Sequence, residues 1–276
     1  MTSDTTPAET LLQRDRWITI AGIVVLTLLA WWYVLEGAGT GMSTLAMTTW
    51  QFPPPVPGMA MPAEWSATHW LIMVLMWWVM MIAMMTPSAT PLVLLYARAT
   101  RHAQTRGQLA AGSVPTGTFL LGYLVAWLGF SIVATSAQWG LEKAGLVHGM
   151  KMWSIDRHFT AALLIIVGVY QLTPLKSACL EHCRSPAHFL SRHWRPGSWG
   201  AFVMGIEHGA YCLGCCWFLM ALLFAGGIMN LVWIAGLAIF VLVEKVAPMG
   251  HWVARVAGVA LIAAGVWLLV GERLVT

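Results

Sequence analysis

This 276-residue sequence predicts an all-α, polytopic transmembrane helical bundle. Three observations point to that class. Hydrophobic residues make up 59% of the chain and charged residues 9%, where a soluble domain carries about a quarter charged residues. Seven apolar stretches, approximately 17–35, 69–96, 115–141, 158–175, 199–225, 228–246 and 251–270, each approach the roughly 20 residues a bilayer core requires. The basic residues between them are unevenly divided. About seven spans are expected, with six as the lower count, in a single membrane domain over residues 1–276.

The first stretch, Trp17 to Leu35, follows Arg14 and Arg16 and exceeds the roughly 7–15 residues of a signal-peptide core. It is read as a retained helix. With the amino terminus inside, the inner segments hold Arg14, Arg16, Arg98, Arg101, Arg106, Lys176, Arg184, Arg192, Arg195 and Lys245, and Arg255 can snorkel to the same side. The outer segments hold only Lys143, Lys151, Arg157 and Arg273. This asymmetry places the amino terminus in and the carboxyl terminus out. The basic residues are therefore topology signals, not a nucleic-acid footprint, and the expected partner is the lipid bilayer.

The outer loop 36–68 is rich in proline and methionine. It has Pro53, Pro54, Pro55, Pro57 and Pro62 with Met42, Met47, Met59 and Met61, and leads through Glu64 to His69. Met59 and Met61 can present thioethers to a soft metal or pack the loop on the bundle, and both readings stay open. The second span carries Met73, Met76, Met80, Met81, Met84 and Met85 before Thr86-Pro87. Met73, Met76, Met80 and Met84 fall within a helical stripe of about 80°. An isolated methionine stripe is more often adaptable packing than a ligand ladder. Pro87 and Pro91 should interrupt or kink this helix.

The third span has no intramembrane charge and reads as scaffold, with Tyr123, Trp127 and Trp139 as packing or interface anchors. His148 in the next outer loop reads as solvated. After the fourth span, residues 176–198 form a cytoplasmic loop bearing Cys179, His182, Cys183, Arg192, His193 and Arg195. Cys179 and Cys183 are four apart, so any helical continuation puts both thiols on one face with His182 beside them. A cytoplasmic edge keeps them reduced, which leaves metal binding or inertness. Arg192, His193 and Arg195 read as a basic, lipid-facing patch.

The fifth span holds Glu207-His208-Gly209-Ala210-Tyr211-Cys212-Leu213-Gly214-Cys215-Cys216-Trp217. His208, Cys212, Cys215 and Cys216 share one helical face, and polar groups at membrane depth default to a functional reading. One ion cannot touch all four, because eight residues of helix rise about 12 Å. Neighbouring pairs can chelate, and a third ligand must come from another helix. Glu207 and His208 can orient or neutralise the ligands. Gly205, Gly209 and Gly214 allow close helix approach, as do Gly258 and Gly265 in the last span. Glu244 and Lys245 read as interface markers.

Thiolate, thioether and imidazole together favour Cu(I), with zinc as the second candidate. The bland reading of a lone membrane cysteine is a small buried apolar residue, but three within five residues beside His and Glu strain it. Cys212-Leu213-Gly214-Cys215 is also a C-x-x-C, so a membrane thiol–disulfide oxidoreductase is an alternative. A metal-free assembly or scaffold subunit is another. No Ser/His/Asp triad, phosphate-cradling loop or paired carboxylates emerge, so no enzymatic activity is expected.

Met80-Met81-Ile82-Ala83-Met84-Met85-Thr86-Pro87, Tyr170-Gln171-Leu172-Thr173-Pro174-Leu175-Lys176 with Cys179 and Cys183-Arg184-Ser185-Pro186, and Cys212-Leu213-Gly214-Cys215-Cys216-Trp217 carry a resemblance. The chain resembles a bacterial family of predicted metal-binding integral membrane proteins, some labelled copper chaperones. The similarity extends from about the second span to the seventh and includes Gly227-Ile228-Met229-Asn230 and Glu244-Lys245. It implies a bacterial metal-binding membrane protein. Together with the charge asymmetry, the expected location is the inner membrane, amino terminus cytoplasmic and carboxyl terminus periplasmic. The expected site lies between the second, fourth and fifth spans. Cys212, Cys215, Cys216, His208, Cys179, Cys183, Met80 and Met84 are its candidate ligands, with Glu207 and His182 behind them and Met59, Met61 and His69 as an entry. The ion would cross the membrane or pass to a cuproenzyme or membrane-complex partner.

Overall fold

The computed structural model describes residues 7–55, 64–107 and 116–271, with side chains described from Arg16 onward. Met59, Met61 and Arg273 lie outside the described residues. The helices are α1 Pro7–Leu35, α2 Ala67–Thr105, α3 Thr116–Lys143, α4 Arg157–Gln171, α5 Pro174–Arg184, α6 Pro186–His193, α7 Gly197–Gly226, α8 Leu231–Val246 and α9 Gly250–Val270. The described residues contain no strand, only an isolated antiparallel bridge between Val147 and Ser154. The chain is an all-α bundle.

Five helices are long and apolar enough to cross a membrane: α1 from Arg16, α2, α3, α7 and α9. The pair α4 and α5, bent by 62° at its break, makes a sixth if counted as one span. The lower expectation of six is reached when α4 and α5 count as one span. The difference from seven is α8, whose 16 residues rise about 24 Å, short of the roughly 30 Å of a hydrocarbon core.

The segment 176–198, expected as a loop, is mostly helical. Thr173 caps α5, its hydroxyl accepting from the Lys176 N–H, and Pro174 and Pro186 occupy the first turns of α5 and α6. Proline there loses no intrahelical hydrogen bond. Pro87 and Pro91 do not interrupt α2, which is one continuous helix. The Ser88 hydroxyl donates to the Met85 carbonyl, and the Thr90 hydroxyl to that of Thr86, so side chains serve the backbone around the two prolines.

Glycine contacts set the bundle's tightest interfaces. A Cβ on Gly122 would strike the Phe202 carbonyl, and one on Gly205 the Phe119 carbonyl, so α3 and α7 touch backbone to backbone. Gly168, Gly258 and Gly265 do the same for α4 and α9. These are the close approaches expected of Gly205, Gly258 and Gly265. α1 packs on α2 through Ile23, Ala30 and Val34, and leaves Trp17, Leu28 and Trp32 exposed as a lipid-facing surface.

One end of the bundle is closed by loops. Asn230 Nδ2 donates to the Thr49 carbonyl at 3.0 Å and the Leu231 N–H to Thr48 Oγ1 at 3.1 Å. The Ser154 N–H reaches the Phe224 carbonyl at 2.8 Å and the Ile228 N–H that of Met152 at 3.0 Å. From that end Cys212 lies about 21 Å down α7 and Lys245 about 21 Å down α8, so the two are level. α8 and α9 turn back just below, while α7 continues about 22 Å further to Gly197.

Candidate metal centre

Cys212, Cys215 and Cys216 are buried on one face of α7, and the five cysteines are all free thiols. Two neighbouring helices complete what α7 begins. From α5, Cys183 Sγ lies 3.9 Å from Cys215 Sγ. From α2, Met85 Sδ lies 4.0 Å from Cys216 Sγ. Cys179 fits against α7 because position 214 is glycine: a Cβ there would lie 2.7 Å from the Cys179 sulfur. A soft metal ion sits about 2.3 Å from a thiolate, so sulfurs closer than about 4.6 Å can share one ion. Both pairs meet that limit.

Cys212 is held differently. Lys245 Nζ donates to its sulfur at 2.8 Å, and the Tyr123 hydroxyl lies 3.2 Å from it. Lys245 also donates to Ser88 Oγ at 3.2 Å, and Tyr123 to the Met85 carbonyl at 3.2 Å. Lys245 is buried and has no carboxylate partner among the described residues. The cysteine sulfur is its counter-group. Two expectations are corrected here: Lys245 does not mark an interface, and Tyr123 of α3 is more than scaffold. The available signals were a lysine inside an apolar helix, which needs a partner, and a tyrosine whose hydroxyl must be satisfied when buried.

Beside this lies a second buried polar group. Lys176 Nζ donates to Glu244 Oε1 at 2.6 Å with both side chains about 1% exposed, and to Gln171 Oε1. Gln171 Nε2 also reaches Glu244 Oε1 at 3.3 Å. Adjacent residues of α8 thus face different elements: Glu244 anchors the cysteine-bearing α5, and Lys245 faces the sulfurs of α7. The Tyr170 hydroxyl donates to the Gly214 carbonyl and ties α4 to the same turn of α7.

A family model described as "PpoB2: Copper chaperone" matches residues 74–268. The chain belongs to this family. The matched region contains every residue named so far in the sulfur cluster, from Met85 to Lys245. No curated protein and no solved structure matches the chain.

The remaining candidates of this copper-chaperone-family chain are spread around the cluster. His208 is buried one turn from Cys212, stacks on Tyr123 at 5.7 Å and meets the edge of Phe189 at 5.5 Å; its Nδ1 has no hydrogen-bond partner. His182 stacks on Tyr211 at 4.4 Å, with Nδ1 bonded to the Ala178 carbonyl. Glu207 Oε1 pairs with Arg195 in the link between α6 and α7, while its Oε2 is buried without a hydrogen-bond partner. Arg195 is correspondingly an ion-pair partner as well as part of the basic patch.

Met80 and Met84 are fully buried in the core, but the thioether that meets a cysteine is Met85. The reason is angular: Met85 and Ser88, three apart, share the α2 face toward α7 and α8. At the loop-closed end, His69 packs edge-on to Trp65 at 4.9 Å. Gln138 of α3 reaches Met73 Sδ at 3.8 Å and Glu142 Oε1 at 2.9 Å, and Trp65 donates to Glu142 Oε2 at 2.8 Å. These polar side chains of α3 were not singled out in the sequence. His148, read as solvated, is buried and its Nδ1 accepts from the Met150 and Lys151 N–H groups at 3.2 and 3.1 Å. Among the described residues, no three His, Cys, Asp or Glu side chains converge tightly enough to hold one ion. The donors come in pairs.

Proposed function

We propose that the protein is a bacterial inner-membrane copper chaperone that binds Cu(I) through sulfur pairs where α2, α5 and α7 meet, and delivers it to a cuproenzyme. The observation that carries this reading is the convergence of Cys183 with Cys215 at 3.9 Å and of Cys216 with Met85 at 4.0 Å. The donor chemistry supports copper over zinc. Zinc prefers a closed tetrahedron of Cys and His, whereas thiolate and thioether pairs suit a soft ion of low coordination number. One monovalent ion on two thiolates carries a single negative charge, and Lys245 is the cation that offsets it inside the bundle.

Delivery is favoured over transport by where the pairs lie. Cys179 and Cys183 are the only two of the five cysteines that are not fully buried, and they sit on the short helix α5, bent from α4 at the edge of the cluster where a partner would approach. The proposed orientation follows the basic residues, with the amino terminus and α5 in the cytoplasm. In this reading α8, short as it is, carries the chain inward from the end of α7, and α9 returns it beside the start of α4, where Arg157 donates to the Leu268 carbonyl. The carboxyl terminus is then in the periplasm. Anaerobic Cu(I) titration against a chromophoric chelator tests the reading. The wild-type chain should take copper from the chelator, and replacing Cys215 and Cys216 by serine should weaken uptake at least tenfold. Equal uptake by both proteins would overturn it. Copper accumulation inside proteoliposomes without a partner would instead establish transport.

A thiol–disulfide exchanger is the second reading, and the 3.9 Å approach of Cys183 and Cys215 favours it. Met85 separates the two. An exchanger keeps its activity in Met85→Leu, while copper binding weakens in that variant.

A further inference from the structure

Away from the sulfurs, where α4 breaks into α5 against the first turns of α9, lies a cavity of about 500 Å³. Its polar lining is Gln171, Lys176, Ser177, Glu181, His251 and Arg255, of which Lys176 is already neutralised by Glu244. Arg255 lies over the Trp252 ring at 5.5 Å, and neither Arg255 nor Glu181 makes an ion pair among the described residues. A cation and an anion therefore line one cavity without neutralising each other. Around it, Leu172, Leu175, Trp252 and Val256 are strongly exposed. The location is the polar–apolar boundary of the bundle, since α9 starts at Gly250 and α4 ends at Gln171. A tryptophan beside an arginine is an arrangement typical of the headgroup level.

We propose that this cavity binds the headgroup of a zwitterionic phospholipid bearing a primary ammonium, phosphatidylethanolamine in chemical class. Arg255 and His251 donate to the phosphate diester. The ammonium lies toward Glu181, which accepts its N–H groups, and the acyl chains run over Leu172, Leu175 and Val256. An anionic headgroup such as phosphatidylglycerol satisfies Arg255 but meets Glu181 as a like charge. Phosphatidylcholine carries the right net charge but has no N–H to donate. The volume suits the purpose, because binding clefts for small molecules run from about 300 to 1,000 Å³. This site is independent of the copper reading. It lies on the α5 face bearing Ser177 and Glu181, whereas Cys179 and Cys183 contact α7.

The test is native mass spectrometry of the full chain released from nanodiscs holding equal phosphatidylethanolamine, phosphatidylglycerol and phosphatidylcholine. The wild type should retain phosphatidylethanolamine at least threefold over either other lipid. Glu181→Gln should shift the preference to phosphatidylglycerol, and Arg255→Gln should abolish it. Retention of the three lipids in the ratio supplied would overturn the proposal in the wild type alone, whatever the variants' folding. An unchanged preference in folded Arg255→Gln would overturn it as well.

Discussion

Two side chains converge on the Cys212 sulfur, an ammonium from α8 and a phenol from α3, and each is itself anchored to α2, through Ser88 and the Met85 carbonyl. One residue thus links three helices around the sulfur. Replacing Lys245 by methionine keeps the length and removes the charge. Copper affinity should fall at least tenfold while the bundle stays folded, measured by chelator competition beside size-exclusion chromatography. Tyr123→Phe removes the hydroxyl that meets both the Cys212 sulfur and the Met85 carbonyl and should cost about 1–2 kcal/mol of stability, read by thermal unfolding. Gly214→Ala forces a Cβ toward the Cys179 sulfur, so α5 must shift and alkylation of Cys179 should accelerate. The cysteine face of α7 was legible because helical spacing alone aligns Cys212, Cys215 and Cys216. Met85 was not singled out, because it lies about 100° around α2 from Met84 and off the methionine stripe, and only the neighbouring helices decide which thioether meets a thiol.

At the level of elements, α5 is the part whose role depends most on packing. Its anchor is the buried pair Lys176–Glu244 with Gln171. Removing one partner leaves an uncompensated charge, so Glu244→Gln should destabilise the protein by about 3–5 kcal/mol, and replacing both partners by apolar residues should recover most of the loss. Thermal unfolding of the wild type and these two variants checks this. The loop between α3 and α4 depends on His148, whose Nδ1 accepts two backbone N–H groups only when unprotonated. Burial lowers its pKa from the ordinary value near 6.5. Its contribution is therefore fully present above that value and falls as pH drops, because the unfolded chain takes up a proton that the folded loop resists. The midpoint of unfolding should drop between pH 7 and pH 5 more steeply in the wild type than in His148→Asn. The helical nature of 174–193 was hidden by its low hydropathy and its prolines, both of which suit short helices that begin at proline.

For the molecule as a whole, hydropathy and glycine spacing carried the class and much of the packing. The number of crossing helices was harder to read, because 228–246 is apolar enough to span yet forms a 16-residue helix. Lys245 falls about 21 Å into that helix and so lies level with Cys212. What joins the parts is a cluster of sulfurs closed by α2 and α5 and balanced by one lysine, in a chain whose residues 74–268 belong to a copper-chaperone family. Elemental analysis tests this most directly. The full-length protein, purified anaerobically after growth in copper, should carry close to one copper per chain and little zinc, and a Cys212/Cys215/Cys216→Ser variant should carry almost none. Equal copper in both proteins, or zinc in place of copper in the wild type, would contradict the account.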